Sequence, residues 1–495
     1  MATGASQITE TTGLLSDRRA SISRYSTLSE AGVVGLEEAL KAPEHDKTTW
    51  QREAKLLSKY SWPLIFTYFL QYSFHLAAVL VVGHLGTKEL GAISLANMTA
   101  NITGMAVYEG LATSLDTLCA QAYGSGKKEN VGLHLQRMIY FLWIVSVPIV
   151  ALWFSAHWFL PYLVPEKEVA LLAARGLRFW MIGAPGYATF EAGKRFTQAQ
   201  GIFSASFYVL LICAPINALL CYTLVFRLHL GFEGAILALS ITNNLLPLLL
   251  LGYVLVINRP SLQCWPGFTR AAFRNWGPML RLSLPGVLMV ESEWLAFDIL
   301  TFASSFVSAD DLAAQSVLMT TSVLIYHIPF PVAVAASTRI GNLIGSGSLQ
   351  ATRTALLTYL AVFSIIGLFD MVVLILLRDI LPLAFTSDPR VISIVSGVMP
   401  IVAAFQLFDS TTALMNAVLR GLGRQSIGGI ANLGVYYIFA VPCALWLSFG
   451  VPKLGLWGLW IGPACGLAGI TAFEGAYIWA CSWEKAVEDA KSRDE

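Results

Sequence analysis

The chain has 495 residues, of which 56% are hydrophobic and only 13% are charged, and its formal net charge is +1. Soluble globular proteins carry about 25% charged residues, so this composition excludes an ordinary soluble protein and indicates a polytopic membrane protein. The seven cysteines show no CxxC or Cys/His spacing. We therefore predict neither a disulfide framework nor a metal site.

The first 58 residues differ from the rest of the chain. They are rich in Ser, Thr, Glu, Lys and Arg and contain no apolar run that could serve as a signal peptide. This composition predicts a disordered cytosolic tail, 1–58. Two short patterns in it indicate regulation. Glu10, Leu14 and Leu15 fit an acidic dileucine signal for sorting adaptors, and Ser21 in RRASIS fits a site for a basophilic kinase. A plain solvated tail is the alternative for both.

Twelve apolar windows follow, each of about 20 residues, the length that crosses about 30 Å of hydrocarbon. They lie near 62–82, 93–121, 136–161, 172–193, 203–226, 233–257, 280–305, 312–336, 354–377, 391–418, 427–450 and 455–480. We therefore predict an all-α integral membrane protein with an N-lobe (59–258), a basic cytosolic linker (259–279), a C-lobe (280–480) and a polar cytosolic tail (481–495).

The distribution of Lys and Arg predicts the orientation. The even number of spans places both ends on one side. If that side is the cytosol, the internal loops hold more Lys and Arg than the external loops, with Lys194, Arg195 and Arg420 counted among the internal ones. Cytosolic loops carry such an excess, so we predict cytosolic termini. The dileucine pattern favours a vacuolar membrane, and the plasma membrane is the alternative.

The two halves of the chain resemble each other at an offset of 221–224 residues. Because each half has an even number of spans, the copies share one orientation, which predicts two bundles around a central cavity. Gln121 and Asn342 occupy matching positions of the repeat, and Asp116 lies in the LDTLCAQ motif near the predicted cytosolic end of the second span; we assign these three to a structural or a gating role. The matching segments are Glu89–Ser94 with Asp311–Ser316, Gln121–Gly126 with Asn342–Gly347, and Leu230–Gly234 with Leu454–Gly458.

Three acidic residues lie in the predicted seventh span. Ser283–Leu300 is apolar enough to cross a membrane, yet it carries Glu291, Glu293 and Asp298. An ionised side chain near the bilayer centre costs about 2.5–3.5 kcal/mol, so such residues normally face a bundle interior or a wet cavity. We therefore predict a proton or substrate site. An ion pair with a buried cation is the alternative.

Six segments, in this order, resemble those of a multidrug and toxic compound extrusion (MATE) transporter of the eukaryotic, fungal-like type. The resemblance covers about residues 60 to 480 and implies the MATE fold, in which twelve helices form two pseudo-symmetric six-helix bundles. It also implies cation-driven export of organic compounds. The segments are GHLGTKEL (Gly83–Leu90), LATSLDTLCAQAYGSG (Leu111–Gly126), RFTQAQG (Arg195–Gly201), LPGVLMVESEW (Leu284–Trp294), ASTRIGNLIGSG (Ala336–Gly347) and LRGLGRQSIGGIANLGVYY (Leu419–Tyr437).

The resemblance also implies roles for individual acids. Glu293 occupies the place of the coupling glutamate of the family, Asp298 that of a second acid, and Asp409 that of an acidic position in helix 10. The chain departs from the family where Leu295 replaces a second Trp, and Glu291 has no counterpart. On an ideal helix Glu293 lies about 140° from Asp298, so we treat Glu293 and Asp409 as the core pair and the other two as accessories.

Aromatic residues on the same predicted helices indicate the character of a pocket. Trp294, Tyr326, Phe408 and Tyr436 lie near the acids in sequence, where their rings would bind a flat organic cation. Each cation–π contact contributes about 0.5–2 kcal/mol. Packing in the core or against lipid is the alternative for each ring.

The resemblance implies a secondary active antiporter that exports cationic or amphipathic organic compounds in exchange for protons by alternating access. The chain shows no Ser/His/Asp, His-rich or Asp-rich metal motif, so we predict no enzymatic activity and no cofactor. As partners we predict a small organic substrate and the lipid bilayer, with no nucleic acid and no second subunit. A sodium-coupled carrier of the same family stays open. So does a lipid-linked oligosaccharide flippase, which would need several Arg or Lys in its cavity. The transported compound and the stoichiometry are not predicted.

Overall fold

A computed structural model describes residues 48–164 and 166–493 of the chain. Within these ranges the secondary structure is helical, with short connecting loops and no strand. The predicted all-α fold is confirmed. The sorting and phosphorylation patterns lie outside the described residues; they comprise Glu10, Leu14, Leu15 and Ser21.

Twelve long helical segments, α1 to α12, follow one another along the described chain. A short helix, Ala156–Leu163, follows α3, two 3₁₀ turns lie in the linker, and the last helix is α13, Trp483–Arg493. The long segments are α1 Trp50–Gly83, α2 Thr87–Gly124, α3 Lys128–Phe154, α4 Lys167–Ala199, α5 Ser204–Arg227, α6 Gly231–Val256, α7 Gly277–Ser304, α8 Ala309–Gly345, α9 Leu349–Leu377, α10 Pro389–Leu422, α11 Gln425–Phe449 and α12 Leu456–Ala480.

Ten of these segments are long and apolar enough to cross a membrane. The other two are α4 and α7, with 33 and 28 residues. Both carry more charge: α4 contains Glu191, Lys194 and Arg195, and α7 contains the three predicted acids. Length alone would let both helices span about 30 Å at 1.5 Å per residue. The count of twelve transmembrane helices stays a prediction for these two.

Side chains near the helix ends explain where several helices begin and stop. The Thr49 hydroxyl accepts a hydrogen bond from the amide of Arg52, so α1 begins at Trp50, inside the segment that we assigned to the tail. Ser308 caps α8 in the same way. At the end of α10, Gly423 adopts a left-handed conformation (φ 71°), which glycine tolerates without a steric penalty.

Three of the long helices are interrupted. A π-helical turn, Asn101–Met105, lies inside α2, and a second, Val435–Ala440, lies inside α11. The α8 segment breaks after Tyr326 and resumes at Pro329, which has no amide hydrogen to continue the ladder. Such irregularities concentrate where helices line functional sites. Asn101 of the first turn, and Tyr326 and Phe330 at the break in α8, line the cavity described below.

The helices pack into two lobes. One hydrophobic core comes almost entirely from α1 to α6, and two further cores come mainly from α7 to α12. The first half of α1 is an exception, because Leu57 and Leu64 pack in a core of the second lobe. We call the side of the molecule at which α1 begins and α12 ends the terminal face. There Arg339 of α8 forms an ion pair of 2.7 Å with Glu53 of α1, and Tyr359 donates a hydrogen bond to the same carboxylate.

Candidate functional site

A cavity of about 500 Å³ lies between the two lobes. Helices α1 and α2 of the first lobe and α7, α8 and α10 of the second line it. Its wall carries the carboxylates of Glu109 and Glu293, the rings of Trp294 and Tyr326, and the guanidinium of Arg420. The cavity therefore combines acidic groups with aromatic surface, as a site for organic cations requires.

Glu293 and Asp409 also line a small second cavity, of about 50 Å³, beside the main one. They come from α7 and α10, and the structure thus brings the predicted core pair together. Asp409 is buried, with 4% of its surface exposed. Neither carboxylate belongs to an ion pair among the described residues. The alternative of a structural ion pair therefore finds no support at these two positions.

Two tyrosines surround the acid pair. Tyr326 lines both cavities, whereas Tyr436 is buried behind them with 1% of its surface exposed. The Tyr436 hydroxyl has no hydrogen-bond partner among the described residues. Both phenols lie within electrostatic range of Glu293 and Asp409. Tyr436 therefore lies beside the acids without lining the pocket.

The other two acids of α7 lie elsewhere. Glu291 and Asp298 are half-buried, line neither cavity, and face Tyr437 of α11. The Tyr437 hydroxyl donates a hydrogen bond of 3.2 Å to the carbonyl of Ser292. Because α7 continues as a helix through Pro285, these two acids stay on a different side from Glu293. The structure does not place them with the core pair.

The predicted aromatic pocket is present only in part. Trp294 and Tyr326 line the main cavity. Phe408 lies against a core of the second lobe and lines neither cavity. Phe297, in contrast, lines the small cavity and has Trp460 at 5.9 Å between ring centroids.

A buried charge network in the first lobe surrounds the end of α4. The Glu191 carboxylate accepts from Lys194 and from Arg195, each at 2.7 Å. Arg195 also lies 3.3 Å from Asp116 of α2. Asp116 therefore has a structural partner. The two cations lie inside a helix and are buried, so they do not belong to the internal loops in which we counted them. The orientation of the termini stays a prediction.

The lobes meet between the cavity and the terminal face. The Gln121 side chain of α2 donates a hydrogen bond of 2.9 Å to the carbonyl of Gly421. Gln425 of α11 donates to the carbonyl of Thr113 at 3.2 Å. A Cβ added at Gly345 would lie 2.1 Å from the carbonyl oxygen of Gln121, so only glycine allows this approach. These contacts form a seal that closes the cavity towards the terminal face.

The matching position in the second lobe is Asn342. A Cβ added at Gly124 would lie 2.1 Å from the Asn342 carbonyl oxygen, so the two glycine contacts mirror each other across the lobes. Gln121 and Asn342 therefore both contribute backbone to the seal. The predicted repeat explains this symmetry.

Two charged residues of the cavity were not predicted for it. Arg420 seemed to lie in a loop because the apolar window ended at 418, but α10 continues to Leu422 and buries it. The glycine-rich LRGLG segment was the available sequence signal for the true end of α10, because Gly423 caps the helix after Arg420. The sequence favours for Glu109 a second polar site with His75 inside the first lobe, or a satisfied core polar pair. Glu109 faces the same cavity as Glu293, and one of its carboxylate oxygens is buried without a partner.

Comparisons with known proteins agree with this architecture. The sequence profile of the MatE family matches residues 63–223 and 285–446, two stretches separated by the offset of the internal repeat. The chain is 42% identical to an uncharacterized transporter of Saccharomyces cerevisiae, over 92% of this chain and 65% of that protein. It therefore spans just under two thirds of that relative. It is 32% identical to multidrug and toxin extrusion protein 1 of Xenopus tropicalis, over 90% of this chain and 77% of the relative.

Among solved structures, the eukaryotic MATE transporter AtDTX14 superimposes with a TM-score of 0.84. The two chains are 29% identical, and the match covers 90% of this chain and 99% of the other. The helical architecture and the paired halves therefore have a direct counterpart in a solved transporter. On the profile match and these similarities together, the chain belongs to the MatE family of multi-pass membrane transporters.

Proposed function

We propose that this protein is an antiporter that exports cationic or amphipathic organic compounds in exchange for protons. The observation that carries the proposal is the pair Glu293 and Asp409, which share a small cavity beside the interlobe cavity and form no ion pair with any described residue. The family supports efflux, since a relative is named for multidrug and toxin extrusion. The ion and the substrate class are part of the proposal.

The geometry supports an exchange without covalent chemistry. When Glu293 and Asp409 are protonated, the second-lobe side of the cavity carries no negative charge and has little affinity for a cation. When the acids are ionised, a cation held against Trp294 and Tyr326 gains both Coulomb and cation–π attraction. Proton and cargo thus exclude each other at one site, and this mutual exclusion couples their movements.

Alternating access would come from a movement of the two lobes relative to each other. The seal closes the cavity on the terminal face, which we propose to be cytosolic, so this conformation would receive protons and release cargo on the other side. Breaking the seal and closing the opposite side would expose the same acids to the cytosol. The vacuolar and the plasma membrane are both compatible with this direction of export.

Uptake of a fluorescent organic cation by proteoliposomes tests the proposal. We expect an imposed pH gradient to drive uptake by the wild type, and Glu293→Gln and Asp409→Asn each to abolish it, because an amide cannot exchange a proton. Asp298→Asn is the matched comparison on α7 and should have the smaller effect, since its carboxylate faces α11.

A sodium gradient distinguishes proton coupling from sodium coupling, which is the nearest alternative. The same assay with a sodium gradient and no pH gradient should give no uptake. Uptake driven by sodium alone would replace proton coupling with sodium coupling at the same residues. Full uptake by the Glu293→Gln/Asp409→Asn double variant would contradict the assignment of both acids.

A further inference from the structure

Glu474 of α12 is a buried carboxyl group that the proposed exchange does not use. Its exposed surface is 0%, and neither Oε1 nor Oε2 has a hydrogen-bond partner among the described residues. Removing an ionised carboxylate from water without a donor or a paired cation costs far more than removing the neutral acid. In this conformation the physics favours a proton on Glu474.

Hydroxyl groups connect Glu474 with the acid pair. Thr412 lies one turn from Asp409 on α10, and Thr471 lies one turn from Glu474 on α12. Side chains three residues apart are neighbours on a helix surface. The two threonine hydroxyls are 2.7 Å apart, within hydrogen-bond distance. The hydrogen-bonded Thr412–Thr471 pair therefore lies one turn from Asp409 on α10 and one turn from Glu474 on α12, inside the second lobe.

Arg420 is the cation that faces Glu474. It lies on α10, within electrostatic range of the carboxyl, but the two form no ion pair in this conformation. Its Nε atom is buried without a hydrogen-bond partner, and its side chain lines the interlobe cavity. Arg420 thus lines the cavity and lies within electrostatic range of Glu474 and also of Glu109 and Asp116.

Besides Arg420, the titratable group near Glu474 among the described residues is a tyrosine of α11. Tyr436 of α11 lies within electrostatic range of Glu474 and also of Glu293 and Asp409. A phenol stays neutral near neutral pH, so it contributes a dipole and no charge. Among the described residues, Arg420 is the charged group within electrostatic range of Glu474, and a cationic cargo in the cavity would add a second charge.

We propose that Glu474 is a further proton-binding group of the exchange, which loses its proton when a cationic cargo enters the cavity and then pairs with Arg420. The proposal rests on the proposed proton antiport. A cation in the cavity favours the ionised carboxylate directly and also repels the guanidinium towards Glu474. The proton leaves the carboxyl along the threonine hydroxyls towards Asp409 and the water of the cavity. No other bond is made or broken.

Proton release and cargo binding are thermodynamically linked, so the pH dependence of cargo affinity measures the protons released. The slope of the logarithm of cargo affinity against pH equals the number of protons released on binding. The purified full-length chain in lipid nanodiscs would be titrated with ethidium, a fluorescent organic cation, from mildly acidic to mildly alkaline pH. Glu474→Gln should lower the maximal slope by about one proton relative to the wild type. Glu129→Gln, at the exposed start of α3, should leave it unchanged.

A second measurement reports the protonation of the carboxyl itself. Infrared difference spectra between the cargo-free and the ethidium-bound protein at one pH should show the loss of a carboxylic C=O component that is absent in Glu474→Gln and retained in Glu129→Gln. A wild-type slope in Glu474→Gln, or an unchanged band, would overturn the inference. Failure of the antiport proposal has a different signature, namely gradient-driven uptake that survives in Glu293→Gln and Asp409→Asn.

Discussion

Glu191 shows what a buried charge contributes at the scale of one residue. It is fully buried and holds two cations, Lys194 and Arg195, which are themselves buried. The spacing along the chain is enough to indicate a local ion pair, because residues three and four apart are neighbours on a helix surface. Asp116 joins the group from α2, which no spacing along the chain could indicate.

Replacing Glu191 by Gln leaves two buried cations with less compensation. We expect the substitution to destabilise the protein by about 3–5 kcal/mol, as breaking a buried ion pair does. The measurement is the thermal unfolding midpoint of the detergent-solubilised protein. Glu168→Gln is the control, because Glu168 pairs with Lys88 at the exposed start of α4 and that contact contributes little. Equal midpoints for the two variants would contradict this account.

At the scale of elements, the contact between α2 and α8 decides which side of the cavity is closed. Gly345 and Gly124 let the two helices approach until backbone meets backbone. Interfaces between membrane helices use small residues in this way, because packing replaces the hydrophobic effect as the driving force. The sequence repeat contains both glycines, but it does not predict which backbone each glycine contacts in the other lobe.

A methyl group at Gly345 would force the lobes apart at the seal. We expect Gly345→Ala to open the terminal side and to slow cation transport. Opening is measured by the rate at which a membrane-impermeant thiol reagent labels Ser283→Cys, followed by mass spectrometry of the labelled peptide. Ser283 of α7 donates a hydrogen bond to Ser114 of α2, across the two lobes. The control is Gly434→Ala in α11, where an added Cβ meets nothing within 4 Å. An equal labelling rate in both variants would refute the role of Gly345.

At the scale of the whole molecule, α1 connects the lobes. It belongs to the first lobe, yet its beginning packs in the second, and the buried Glu53 carboxylate accepts from both Arg339 and Tyr359. This ion pair lies on the same side as the seal. If the terminal face opens, the start of α1 must either separate from the second lobe or move together with it.

We expect Glu53→Gln to weaken this connection and to favour the conformation that is open at the terminal face. Labelling of Ser283→Cys should therefore be faster than in the wild-type background, whatever the pH gradient. Lys55→Gln, an exposed change on the same turn of α1, is the control. If labelling does not respond to Glu53→Gln, the ion pair plays no part in the closure.

The sequence by itself determined the class of the protein. Composition and apolar windows indicate membrane helices, the offset between halves indicates two lobes, and three acids in one span indicate a site, because each of these is a local or a periodic property. Helical periodicity even separated Glu293 from Asp298 by angle. The ends of helices were less predictable, since α1 and α10 extend beyond their apolar windows into residues that caps and tertiary contacts hold in helical form.

The tertiary structure alone decided which groups meet. Arg420 and Glu109 enter the cavity, Phe408 does not, and Glu474 approaches Arg420, because these relations depend on how helices distant in sequence turn and cross. Periodicity fixes the directions of side chains relative to their own helix, but the rotation of that helix against its neighbours comes from packing over the whole lobe. For this reason the acids could be named from the sequence, and their partners could not.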